Sequence, residues 1–252
     1  MILPWIGALL VGLSLGLMGS GGSILTVPVL IYLAGEQEKV AIAESLGIVG
    51  AISFLGAIPY AFKQQVHWRS VILFGLPGMV GTYGGAIIAG FVSGTFQLIL
   101  FAIVMLIAAG LMFRNKKIDS ENIDAGKNQQ WWIIAIEGLV VGVLTGLVGV
   151  GGGFLIVPAL VLLGGLSMHI AIGTSLVIIA MKSFSGFYKY IDVLKELDLS
   201  INWELVFIFT LIGAVGSFAG RSIGTKISGE KLKRGFAVFL LFMGTYIIYM
   251  NI

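Results

Sequence analysis

Hydrophobic positions fall into eight long runs, at about 2 to 33, 40 to 62, 70 to 92, 95 to 113, 131 to 163, 170 to 190, 203 to 225 and 236 to 250, with short polar stretches between them. Six are close to the roughly 20 residues that carry a helix through a hydrocarbon core of about 30 Å. The other two are too long. Residues 2 to 33 as one helix would extend roughly 48 Å at 1.5 Å per residue. Both long runs contain a glycine cluster, Gly19-Ser20-Gly21-Gly22-Ser23 and Gly149-Val150-Gly151-Gly152-Gly153. Glycine has low helix propensity and tolerates positive φ, so each long run is expected to break there into two half-helices. The second half-helix would start at the glycines, with Pro28 or Pro158 in its first turns, where a missing N–H costs little.

The two clusters belong to a larger repeat. At an offset of 130 residues, positions 9 to 60 match positions 139 to 190 at about 23 of 52 sites, among them Ser45/Ser175, Ser53/Ser183, Gly56/Gly186 and Tyr60/Tyr190. Beyond an insertion near Asp192 to Leu199 the offset becomes 135, and Trp68/Trp203, Gly78/Gly213, Gly81/Gly216 and Gly85/Gly220 continue the match. The chain therefore divides into a first membrane repeat at 1–113, a polar linker at 114–130 and a second membrane repeat at 131–252. Glycines spaced four apart, at Gly12/Gly16, Gly142/Gly146, Gly81/Gly85 and Gly216/Gly220, predict close helix packing.

Composition agrees with the run lengths. At 58% hydrophobic and 11% charged residues, with mean hydropathy +1.05, the chain carries more apolar surface than one soluble core could hide. The fold class is all-α, a polytopic helical membrane protein. The absence of cysteine excludes disulfides, thiolate metal sites and a cysteine nucleophile. The net charge of +3 lies between hydrophobic runs, where it reports orientation and not nucleic-acid binding. The N-terminal run lacks a basic leader region and recurs in the second half, so it reads as an integral segment and not as a signal peptide.

Lys and Arg concentrate at Lys63 with Arg69, Arg114 with Lys116 and Lys117, and Arg221 through Arg234; the loops with Glu36 and Glu38, and with Asp192, Glu196 and Asp198, are acidic or balanced. If the basic loops are cytoplasmic, the broken run 131 to 163 must enter and leave on the same side. Both termini then lie outside and the halves have opposite orientation. Inverted repeats meeting through broken helices are a transporter architecture.

Half-helix N-termini inside a membrane offer unpaired N–H groups and a positive dipole end, which suit an anion. The candidate substrate-binding residues are Gly19, Ser20, Gly21, Gly22 and Ser23 in the first break and Gly149, Val150, Gly151, Gly152 and Gly153 in the second, meeting as one central site. Lys182, about twelve residues into its run, is either a counter-charge for the anion or a lysine snorkelling to the interface beside Lys189. Glu44 is a candidate proton carrier, or a hydrated residue near the outer interface. Glu137 reads as interfacial and Arg221 as a positive-inside residue.

Enzymatic constellations are missing. Gly12-Leu13-Ser14-Leu15-Gly16 fits a nucleophile elbow in spelling but lacks its strand-turn-helix context. His67 and His169 have no metal-ligand spacing, and no metal or cofactor is expected. There is neither a dinucleotide fingerprint nor a Walker lysine.

The duplicated Gly-x-Gly-Gly-[Ser/Gly]-x-Leu-x-Val-Pro at Gly19 to Pro28 and Gly149 to Pro158 resembles the TauE/SafE sulfite exporter family over essentially the full length. The resemblance implies an inner-membrane secondary transporter, an exporter of sulfite, sulfoacetate or a related sulfur-containing or organic anion. An anion channel, or an importer of a similar anion, is the alternative. The expected partners are the small anion and the lipid bilayer, with room for a homo-oligomer. Ser20 faces Val150 and Ser23 faces Gly153 in the repeat, so the two halves of the site are unequal.

Overall fold

The computed structural model describes residues 2–19, 21–113, 131–149, 153–162, 165–224 and 226–251. Among these the chain is helical, without strands, and the helices group five to a half. In the first half they are α1 (Leu3–Met18), α2 (Gly21–Tyr32), α3 (Glu38–Phe62), α4 (Trp68–Gly90) and α5 (Gly94–Phe113). In the second they are α6 (Trp131–Val148), α7 (Gly153–Leu162), α8 (Met168–Glu196), α9 (Trp203–Gly224) and α10 (Gly229–Asn251). By length and composition α3, α4, α8 and α9 can each cross a membrane. The linker 114–130 lies outside the described residues, as do Ser20, Val150, Gly151 and Gly152.

The first long run breaks as its glycines predict. Gly19 caps α1 at φ 71, and its N–H bonds to the Leu15 carbonyl; Gly149 ends α6 at φ 74, with its N–H on Thr145. This left-handed conformation carries a steric cost for any residue with a Cβ. After the first break the chain turns back on itself. Gly7 faces Val29 and Leu33, and Gly22 faces Val11 and Leu15, so α1 and α2 form an antiparallel hairpin that enters and leaves at one end of the molecule. Two boundaries differ from the sequence reading. Pro28 lies in the interior of α2 and not in its first turn. Helix α10 starts at Gly229, ahead of the apolar run, where an exposed Glu230–Arg234 pair at 2.7 Å spans one turn.

The halves pack by exchange. Helix α1 lies parallel to α9 and α4 parallel to α6, while α3 and α8, equivalent in the repeat, run antiparallel against each other and α5 packs on α10. Glycine makes the parallel contacts possible: a Cβ on Gly12 would meet the Gly213 carbonyl, and one on Gly142 the Gly78 carbonyl. Gly16 against Ser217 and Gly146 against Thr82 repeat the arrangement one turn on.

This packing sorts the charged loops by end. Asn202 donates from its side-chain amide to Glu36 at 3.4 Å, and Glu36, Gln37, Asp198, Ser200 and Asn202 line an open polar cavity of about 570 Å³. At the opposite end the His67 N–H bonds to Thr174, and Arg221 reaches the Pro59 carbonyl at 3.5 Å. Lys63, Arg69 and the loop after α9 therefore share the second end. Ile2 starts α1 beside the start of α9, and Tyr246 of α10 meets Tyr32 edge-on at 6.0 Å, so the start of α1 and the end of α10 lie at the acidic end.

Candidate functional site

Where α3 and α8 cross, Gly47 faces Phe187, Gly50 faces Phe184 and Ser183, and Gly56 faces Leu176. Interpolation along these antiparallel contacts brings Ile52 opposite Lys182. These two are equivalent in the sequence repeat. Lys182 is fully buried, at 0% exposure, and its Nζ donates to Thr145 Oγ1 at 3.2 Å, 5.8 Å from the centre of the Phe74 ring. The amine is thus held inside the helix bundle and does not snorkel. Among the described residues no carboxylate pairs with it. Thr145 in turn bonds the Val141 carbonyl at 2.6 Å and sits one helical turn before the Gly149 break. Lys182 and the second break therefore come together.

The first break lies elsewhere, so the two do not form one centre. A Cβ on Gly19 would meet Ile172 and Ser175, near the start of α8, whereas Leu147, at the second break, is tied through Gln97 to Tyr190. From Ser175 to Tyr190 is roughly 22 Å along the helix at 1.5 Å per residue. The cause is the hairpin itself: α1 runs 16 residues before it breaks, about 24 Å, and carries its break past the middle of the bundle. Gly21 opens α2, Gly22 is taken up by packing against α1, and Ser23 is buried, as is Gly153 at the start of α7. Ser20, Val150, Gly151 and Gly152 are the site candidates that lie outside the described residues.

Each break is held by the opposite half. Ser45 Oγ donates to the Gly149 carbonyl, and its repeat partner Ser175 donates to the Gly19 carbonyl at 3.2 Å. Each also lies within hydrogen-bond reach of the carbonyl three residues back in its own helix, at 2.9 and 2.8 Å. The sequence marks this pair only as a match between repeats; its partners become visible once the helices cross.

Glu44 is buried at 0% exposure. Its Oε1 accepts the Asn202 N–H at 2.8 Å, just ahead of α9, and Thr174, its repeat partner, accepts the His67 N–H at 2.9 Å, just ahead of α4. Glu44 Oε2 has no hydrogen-bond partner among the described residues. Arg221 stacks over the Tyr60 ring at 4.6 Å, half-buried near the end of α1. Glu137 is half-buried on α6.

Comparison with known proteins agrees with the architecture. The sulfite exporter TauE/SafE family matches residues 5–247. A "Probable membrane transporter protein" of Xylella fastidiosa strain Temecula1 is 34% identical over 247 residues, covering 95% of this chain and 92% of the relative. "Probable membrane transporter protein YunE" of Bacillus subtilis strain 168 is 27% identical over 262 residues, covering 94% and 93%. A protein of the same description from Methanocaldococcus jannaschii is 25% identical over 256 residues, covering 95% and 94%. No solved structure matches the chain. With a bundle of apolar helices and a family match over nearly its whole length, the chain belongs to the sulfite exporter TauE/SafE family and is a multi-pass membrane transporter, not an enzyme.

Proposed function

We propose that this transporter exports a small sulfur-containing or organic anion, such as sulfite or sulfoacetate, across the inner membrane, and that residues 1–113 and 131–252 are inverted repeats joined by a cytoplasmic linker. The antiparallel α3–α8 pair supports inversion, because repeats related by an axis along the membrane normal would run these helices parallel. The basic end then faces the cytoplasm and both termini face out. The family's name supports the direction and the substrate class.

One observation carries the anion reading: the buried Lys182 amine has no carboxylate partner among the described residues. A charge inside a membrane bundle is costly unless it is compensated, and a transported anion supplies the compensation. Because Thr145 lies one turn before Gly149, the same anion is within reach of the second break, where Val150, Gly151, Gly152 and Gly153 lead into the N-terminus of α7. The first break, from Gly19 through Ser20 and Gly21 to Ser23, acts as a second station nearer the basic end. Glu44, with one oxygen unpartnered among the described residues, carries a coupling proton.

Reconstituted vesicles test these assignments together. The native protein should accumulate labelled sulfite with saturable kinetics and counterflow. Lys182→Met should abolish flux without loss of folded protein, and Glu44→Gln should carry sulfite without responding to an imposed pH gradient. Flux that neither saturates nor shows counterflow would make the protein a channel; net uptake from the outer face alone would make it an importer. Full flux in Lys182→Met would remove the lysine from the site.

A further inference from the structure

Most other buried hydroxyls in these helices have a carbonyl partner: Thr26 bonds Gly22, Thr82 bonds Gly78 and Thr145 bonds Val141 one turn back, and Ser45 and Ser175 bond the break carbonyls of the opposite half. Three serines depart from this. Ser53, Ser183 and Ser217 are at most 1% exposed, and their Oγ atoms have no hydrogen-bond partner among the described residues. They are also close in the fold. Ser53 lies on α3 three residues after Gly50, which faces Ser183 of α8 at 3.3 Å from the position of an added Cβ, and three residues before Gly56, which faces Ser217 Oγ of α9 at 2.8 Å. Residues three apart share a helix face, so the three hydroxyls border one seam. Ser53 and Ser183 are repeat equivalents beside the Ile52–Lys182 crossing. A buried hydroxyl without a partner is unfavourable.

We infer that Ser53, Ser183 and Ser217 are ligands of the transported anion, three hydroxyl donors from three helices that each take one oxygen of an oxyanion as it passes the crossing. This inference rests on the anion-transport reading. In this structure the seam is closed around the serines, so they serve a state in which α3, α8 and α9 have separated. Three donors from different directions fit a pyramidal or tetrahedral oxyanion better than a halide, whose single atom they would crowd.

Replacement by alanine separates ligation from packing, since it keeps the size and removes only the hydroxyl. The full chain in detergent would be melted with and without sulfite, and with chloride as the halide arm, for the native protein, Ser53→Ala, Ser183→Ala and the double variant. Each single variant should melt at or above the native temperature without ligand, because an orphaned polar group has been removed. Each should bind sulfite about tenfold more weakly, the loss expected for one hydrogen bond to a charged group. Chloride binding should not change. Sulfite affinity within about twofold of native in the double variant, with affinity lost in Lys182→Met, would overturn the ligand role and leave the transport reading intact. Native protein that neither binds nor transports sulfite, sulfoacetate or thiosulfate would overturn both.

Discussion

The surroundings of Lys182 and those of its repeat equivalent Ile52 have the same scaffold and opposite chemistry. Lys182 packs against Gly78, Phe74 and Thr145; Ile52 packs against Gly213, and the residues that correspond to Phe74 and Thr145 are Phe209 and Leu15. Glycine and phenylalanine recur because helix spacing depends on them. The polar pair, lysine and threonine, occurs only once. The other end inverts the asymmetry: Arg221 stacks on Tyr60, whereas the residues equivalent to this pair are Ala86 and Tyr190, the latter bonded to Gln97 at 3.1 Å. The repeat thus pairs equivalent positions that carry unlike side chains, Lys182 against Ile52 and Arg221 against Ala86.

Exchanging the two centres gives the largest expected effect. Ile52→Lys places a second lysine at the crossing without a threonine to receive it, and an uncompensated buried charge should cost about 3 to 5 kcal/mol of stability. Lys182→Ile should leave a folded protein that has lost about a hundredfold or more in sulfite affinity, as truncating one partner of a buried charge pair does. Thermal unfolding with and without sulfite reads both. A stable Ile52→Lys protein would mean that the first centre is wetter than its apolar lining implies.

Glycine contacts should respond alike in the two halves. Gly12→Ala and Gly142→Ala each force a Cβ onto a carbonyl, of Gly213 and Gly78 respectively, and each should destabilise by about 1 to 3 kcal/mol. Denaturation in detergent gives the two values. A gap much above about 1 kcal/mol would show that one interface relaxes where the other cannot.

The smallest effects belong to the serines that hold the breaks. Ser45→Ala and Ser175→Ala each remove a hydrogen bond from the opposite half's break carbonyl and should cost about 1 kcal/mol. Hydrogen exchange at Gly149 and Gly19 localises the change: faster exchange is expected at the break facing the altered serine and not at the other. Equal acceleration at both would mean that the breaks open together and not independently.

The sequence by itself determined the helical membrane class, the duplication, the two breaks and the sorting of basic from acidic loops. Each follows from local properties: run length against bilayer thickness, glycine against helix propensity, and repeated residues at a fixed offset. Only the tertiary structure decided which residues face one another. The direction of Lys182, toward Thr145 and away from the interface, depends on how α8 is rotated against α4 and α6. The separation of the two breaks depends on α1 running past the middle before Gly19 turns it back. The role of Ser45 and Ser175, and the isolation of Ser53, Ser183 and Ser217, depend on helices more than a hundred residues apart meeting at their glycines. Periodicity identifies an apolar face, but in a bundle apolar nearly all round it cannot say which neighbour that face meets. That choice rests on close backbone contact at particular glycines and on hydrogen bonds across the halves.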